Sequence, residues 1–204
     1  GQAALYSNTT GSYNTAAGYS ALHSNTTGSS NTAAGRSALR NNTTGSYNTA
    51  AGHTALYSNT TGSSNTAAGY AALYQPLGNG SYSTTTAAKQ TAIGMESGQS
   101  SATQVDGITV VGYRATAGAT NATAIGYQAR ADHSGGVALG DNTTTTAINQ
   151  VEIAGRHIEM VEMTAPSAGA ANSARLFARD NGSGKTQLCV QFATGAVQVI
   201  ATEP

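Results

Sequence analysis

The chain has 204 residues, with nine basic and nine acidic side chains, no formal net charge, and only 9% charged residues against roughly 25% in ordinary soluble domains. There is no basic stripe for nucleic acid, and the single Cys189 excludes an intrachain disulfide framework. No apolar run reaches the ~18 residues of a membrane helix, and no segment reads as a signal peptide.

Residues 1–74 are a repeat. Leu5, Leu22, Leu39, Leu56 and Leu73 recur every 17 residues, as do Gly1, Gly18, Gly35, Gly52 and Gly69. A second glycine series runs Gly11, Gly28, Gly45, Gly62. The unit reads G-x-x-A-L-x-x-N-T-T-G-S-x-N-T-A-A, with 12 of 17 positions identical in four complete copies. Strict periodicity with a recurring leucine argues against disorder. Helical hairpin repeats are longer, and Thr and Asn are poor helix formers, so the period predicts one turn of a β-solenoid. The x-A-L and N-T-A-A segments are its two expected strands, and the glycines its two turns. Equivalent residues then stack about 4.8 Å apart, which places Asn8/Asn25/Asn42/Asn59 and Asn14/Asn31/Asn48/Asn65 in amide ladders.

Residues 75–90, with Pro76 and Gly78, read as a transition segment. Residues 91–155 resume with shorter turns, T-A-I-G, T-V-V-G-Y-R-A, T-A-I-G-Y-Q-A, V-A-L-G-D and V-E-I-A-G, closed by Gly94, Gly112, Gly126, Gly140 and Gly155. A loop around Ser100 to Gly107 is inserted into this second solenoid of about 14-residue turns. Residues 156–204 form a C-terminal cap or tip. Within them A-R-L-F-A-R-D, K-T-Q-L-C-V-Q-F and A-V-Q-V-I-A-T-E-P, with an N-G turn, predict a three-stranded antiparallel meander.

The A-I-G-x-x-A turns resemble the head repeats of trimeric autotransporter adhesins (YadA-like heads), and N-T-A-A-G-x-x-A-L is similar to the longer variant. The resemblance covers residues 1–155 and implies a left-handed parallel β-roll wound as a homotrimer. The family's coiled coil and β-barrel anchor are not matched. Residues 174–204 resemble the tip module of bacteriophage tail fibres, and ending at Glu203-Pro204 ranks that context first. Because Gly1 starts mid-repeat, the sequence reads as a fragment. The expected fold is thus all-β: a parallel β-roll or β-solenoid, then a small antiparallel β module. One Leu and a few alanines per turn make a thin core, which independently predicts a trimer with Leu and Ala faces on a common axis.

Catalysis has no visible seat, and no enzyme activity, cofactor or metal is expected. Gly182-Ser183-Gly184-Lys185-Thr186 resembles the end of a P-loop, but Arg179 stands where the motif needs Gly, and a hairpin replaces the strand–helix context. His23, His53, His133 and His157 lack metal-ligand spacing, and Asp132-His133 and Asp141 read as turn residues. The Asn-Thr-Thr sequons likewise read as turn chemistry rather than glycan acceptors.

Five positions vary within the 17-residue unit, and they mark outward columns. One is Gln2, Tyr19, Arg36, His53, Tyr70. Another is Tyr6, His23, Arg40, Tyr57, Tyr74, and a third alternates Tyr13, Ser30, Tyr47, Ser64. Exposed Tyr, His and Arg are residue types that stack on sugars and form hot spots; the plainer reading is cross-rung stacking that stiffens a shaft. A second candidate surface is the tip, with Arg175, Arg179, Asp180, Asn181 and Lys185. These features lead to a structural and receptor-binding part of a phage tail fibre. It would attach to a bacterial surface glycan or protein, join other fibre or tail proteins, and sit extracellularly on the virion. The alternatives are a bacterial adhesin head on the cell surface and a non-binding spacer. An ice-binding solenoid using Thr9/Thr26/Thr43/Thr60 fits less well, because those threonines adjoin turn glycines.

Overall fold

The computed structural model describes residues 1–74, 86–100, 105–153, 174–180, 186–192 and 198–202. They are all-β, with no helix among them. The chain forms two compact units, Gly1–Gly155 and Arg156–Pro204.

The first unit is a parallel β-solenoid. Its long rungs each contribute one strand, β1 (Thr15–Ala17), β2 (Thr32–Ala34), β3 (Thr49–Ala51) and β4 (Thr66–Ala68). The shorter rungs continue with β5 (Thr91–Ile93), β6 (Gly98–Gln99), β7 (Thr109–Val111) and β8 (Thr116–Ala117). Then follow β9 (Thr123–Ile125), β10 (Arg130–Ala131), β11 (Val137–Leu139) and β12 (Val151–Ile153). One nine-stranded parallel sheet, β1-β2-β3-β4-β5-β7-β9-β11-β12, spans both repeat lengths. Thr66 pairs with Thr91 across the irregular rung, so the change of period does not break register. A second sheet, β10-β8-β6, exists only in the short rungs.

The A-L segments of the long rungs are not strands. Ala3 and Leu5, Ser20 and Leu22, Ser37 and Leu39, Thr54 and Leu56, and Ala71 and Leu73 all have positive φ, near 50–58°. This alternation turns the peptide planes along the axis, so rung-to-rung hydrogen bonds survive without extended backbone. Leu22 N–H donates to Ala38 O at 3.0 Å and Leu39 N–H to Ala55 O at 3.0 Å. Left-handed backbone costs a non-glycine residue roughly 1–2 kcal/mol, and persists only where the surroundings over-determine it. Here the identical neighbouring rungs do so. Gly52 needs its own freedom for a different reason. At φ 141° it lies so close to the carbonyl of Gly69 that no Cβ fits between them.

The core lies inside each chain's own roll. Leu22, Leu39 and Leu56 are fully buried, together with the middle strand residues Ala33, Ala50, Ala67, Val110, Ala124 and Ala138. Packing of the leucines between three chains is therefore not how they are covered. The faces left outward are the first and third strand positions instead.

Both asparagine columns are ladders. Asn25 Nδ2 donates to Asn8 Oδ1, Asn42 to Asn25 and Asn59 to Asn42, each at 2.7 Å. The second column accepts from backbone instead: Asn48 N–H donates to Asn31 Oδ1 and Asn65 N–H to Asn48 Oδ1, each at 3.0 Å.

The second unit is an antiparallel sheet of β13 (Ala174–Asp180), β14 (Thr186–Phe192) and β15 (Gln198–Thr202). Its register shifts between Leu188 and Cys189, the mark of a β-bulge, and Cys189 is buried.

Candidate functional site

The residue after each turn glycine projects outward, and the rung spacing stacks these side chains. The Arg36 guanidinium carbon lies 5.9 Å from the Tyr19 ring centroid. His53 and Tyr70 stack at 5.3 Å, with their planes 5° apart. In the second column Tyr6 and His23 stack at 5.3 Å and 10°, and Tyr57 and Tyr74 meet edge-on at 5.5 Å. Arg40 lies 5.7 Å above the Tyr57 ring and also donates to its hydroxyl at 2.7 Å.

Rings stacked this way cover one another's faces and leave edges and hydroxyls to solvent. Such columns stabilise the shaft through aromatic and cation–π contacts, and offer few flat faces to a ligand. Tyr13 and Tyr47 differ. They are 89% and 69% exposed and stack on no ring among the described residues. Their column is interrupted at each second rung by Ser30 and Ser64.

The first column runs further than the variable positions of the long repeat indicate. Met95, Tyr113, Tyr127 and Asp141 follow Gly94, Gly112, Gly126 and Gly140, and Tyr113 and Tyr127 stack at 5.3 Å. Beside them Arg114 sits 5.2 Å from the Tyr113 centroid and pairs with Glu96 at 2.6 Å. The hydrogen bond that Arg114 donates to Glu96, then the carboxylate's charge, pushes the guanidinium further above its already high ordinary value. The signal was G-Y-R-A after the T-V-V strand and G-Y-Q-A after the T-A-I strand at 123–125.

The outward sheet face also escaped the sequence reading. Its first column is Thr15, Thr32, Thr49, Thr66, Thr91, Thr109, Thr123, Val137 and Val151, aligned by pairing. Its third-position column passes from Ala17, Ala34, Ala51 and Ala68 to Ile93, Val111, Ile125, Leu139 and Ile153. Ile93, Ile125 and Ile153 remain 46%, 41% and 48% exposed, and neither column holds a charge.

Elsewhere, Asp132 pairs with Arg130 and accepts from Ser100 Oγ at 2.5 Å. His133 Nδ1 lies 3.0 Å from Thr145 O. Among the described residues no three His, Cys, Asp or Glu side chains converge as a metal set. At the tip, Arg175, Arg179 and Asp180 lie on β13, opposite Gln191, Gln187 and Thr186. Asn181 and Lys185, like most of the transition segment 75–90, lie outside the described residues.

With this geometry in place, comparison with known families gives one match: the YadA head domain repeat, in two copies, at residues 109–129 and 117–143. The short rungs are similar to adhesin head repeats. The YadA-like stretch contains β7 to β11, which belong to both parallel sheets, and the Tyr113–Tyr127 stack. No curated protein and no solved structure matches the chain.

Proposed function

We propose that this chain is part of a trimeric, extracellular attachment fibre, the distal portion of a phage tail fibre that contacts a bacterial surface glycan or protein. The observation that carries it is the outward sheet face: two in-register, charge-free columns with isoleucines about half exposed. Exposed apolar residues aligned along a parallel sheet are a surface to be covered. Small Thr and Ala side chains in the long rungs let neighbouring sheets approach closely, and Ile and Val in the YadA-like rungs supply apolar area. Three copies meeting along this face give a stiff shaft with the aromatic columns outside. Its role is structural and adhesive, without catalysis or a cofactor.

Two measurements test the reading. Light scattering on the purified chain is expected to give three times the 20.3 kDa chain mass; a monomeric mass for folded protein overturns the trimer. Labelled chain is expected to bind some bacterial strains saturably, and to lose that binding when the surface receptor is stripped; failure to bind any strain overturns the attachment role.

A bacterial adhesin head is supported by the YadA match as well as the phage fibre is. The gene neighbourhood separates the two: tail-assembly genes fit the fibre, and an outer-membrane anchor in the same reading frame fits the adhesin.

A further inference from the structure

Tyr13 and Tyr47 occupy the same repeat position two rungs apart, with Ser30 between them. The position keeps its register: Ser30 N–H donates to Ser12 O at 2.9 Å and Tyr47 N–H to Ser29 O at 3.0 Å. With strands about 4.8 Å apart, the two tyrosines stand about 9.6 Å apart along the axis. In the other two columns each aromatic ring has a neighbouring ring or an arginine against it, whereas here a serine holds the gap open.

We infer that Tyr13 and Tyr47 form a stacking comb for an extended, neutral polysaccharide, each ring taking the C–H face of every second sugar. Two pyranose units of an extended β-linked chain advance by about the same length as two rungs, so one disaccharide fits one period of the comb. The charge distribution favours a neutral glycan. Residues 1–88 carry only Arg36 and Arg40, and each of these already lies against a tyrosine of another column. Side chains on one face of a bound peptide strand repeat at about 6.8 Å, out of step with the comb. A polyproline helix repeats at about 9.3 Å, but such peptides dock in aromatic-lined grooves, and Tyr13 and Tyr47 stand clear of the surface at 89% and 69% exposure. The positive φ of 59° and 60° at these tyrosines belongs to the turn and not to the side chain, because Ser30 and Ser64 share it at 58° and 60°.

The inference rests on the glycan-attachment reading, so two assays run side by side. In the first, calorimetry on the intact chain uses cello- and chito-oligosaccharides of increasing length, with an α-linked glucan and a proline-rich peptide as controls. Affinity is expected to rise until the oligosaccharide spans both rings. Tyr13→Ala and Tyr47→Ala are each expected to weaken it about tenfold, with unchanged melting curves. Ser30→Tyr, which fits the backbone that Tyr13 and Tyr47 already adopt, fills the gap and is expected to abolish binding despite adding an aromatic. Unchanged affinity in the tyrosine variants, tighter binding by Ser30→Tyr, preference for the peptide, or no oligosaccharide binding at all each overturns the comb. In the second assay, strain binding is compared for the wild type and the variants. Equal binding by all of them rejects the comb while the attachment role stands; binding by none rejects the attachment role, and calorimetry alone then decides the comb.

Discussion

Asn42 Nδ2 donates to Asn25 Oδ1 on the preceding rung at 2.7 Å and to Gly45 O of its own rung at 2.9 Å, with both asparagines fully buried. Its own Oδ1 accepts from Asn59 Nδ2 at 2.7 Å. One amide thus satisfies its own turn and both neighbouring rungs. Because a buried polar group left without its partner costs about 1–3 kcal/mol, the column ties the rungs together as a unit.

Asn42→Ala removes that amide and orphans Asn25 Oδ1 and one Asn59 donor, while the Gly45 carbonyl keeps the Asn31 Nδ2 donor at 2.9 Å. Urea denaturation is expected to show a loss of about 3 kcal/mol or more. A loss below about 1 kcal/mol would mean that water replaces the ladder without penalty.

Leu39→Ala opens a cavity in a core with one large side chain per rung. The expected loss is about 2–5 kcal/mol, whereas Tyr47→Ala, 69% exposed, is expected to stay within about 0.5 kcal/mol. Comparable losses at the two positions would place the leucine column outside the core.

Gly52→Ala combines a strained φ of 141° with a collision against the Gly69 carbonyl. Its expected outcome is a large drop in melting temperature or loss of soluble protein. Ala at the neighbouring His53, an exposed position, is expected to remove only one stacking contact.

Ile125→Asp sets a charge on the otherwise charge-free sheet face without touching the interior. Light scattering is expected to report the 20.3 kDa chain, with a circular dichroism spectrum still of β type. An unchanged assembly mass would move the trimer contact to another face.

The Arg114–Glu96 pair is exposed, its side chains 52% and 37% accessible. Exposed pairs contribute little and are screened by salt, so Glu96→Gln is expected to leave the melting temperature unchanged at high ionic strength. Arg114 is pushed up by Glu96. Whatever stability that shift carries is complete below the unfolded arginine value and fades only as pH rises through the higher folded one, so Arg114 adds no slope to stability across the physiological range.

The period, the parallel stacking, the two amide ladders and the C-terminal meander were all legible in residue order. The reason is local: when copies repeat every 17 residues, equal residues must lie one rung apart, and equal amides one rung apart can pair. The first aromatic column was legible only as far as Tyr70, because variation against an invariant frame disclosed it and the short rungs have a looser frame. Two features were decided by the tertiary structure. The A-L segments look like strand, yet Leu22 and Leu39 are left-handed, because their neighbours' hydrogen bonds rather than any propensity of leucine hold them there. The exposed face was likewise hidden, since a three-residue T-A-A or T-A-I strand is too short and too uniform to say which side is in. Only the closed roll turns the middle residue inward and leaves Thr and Ile outside. The sequence alone determined which residues stack; the closing of the roll decided which of them face outward.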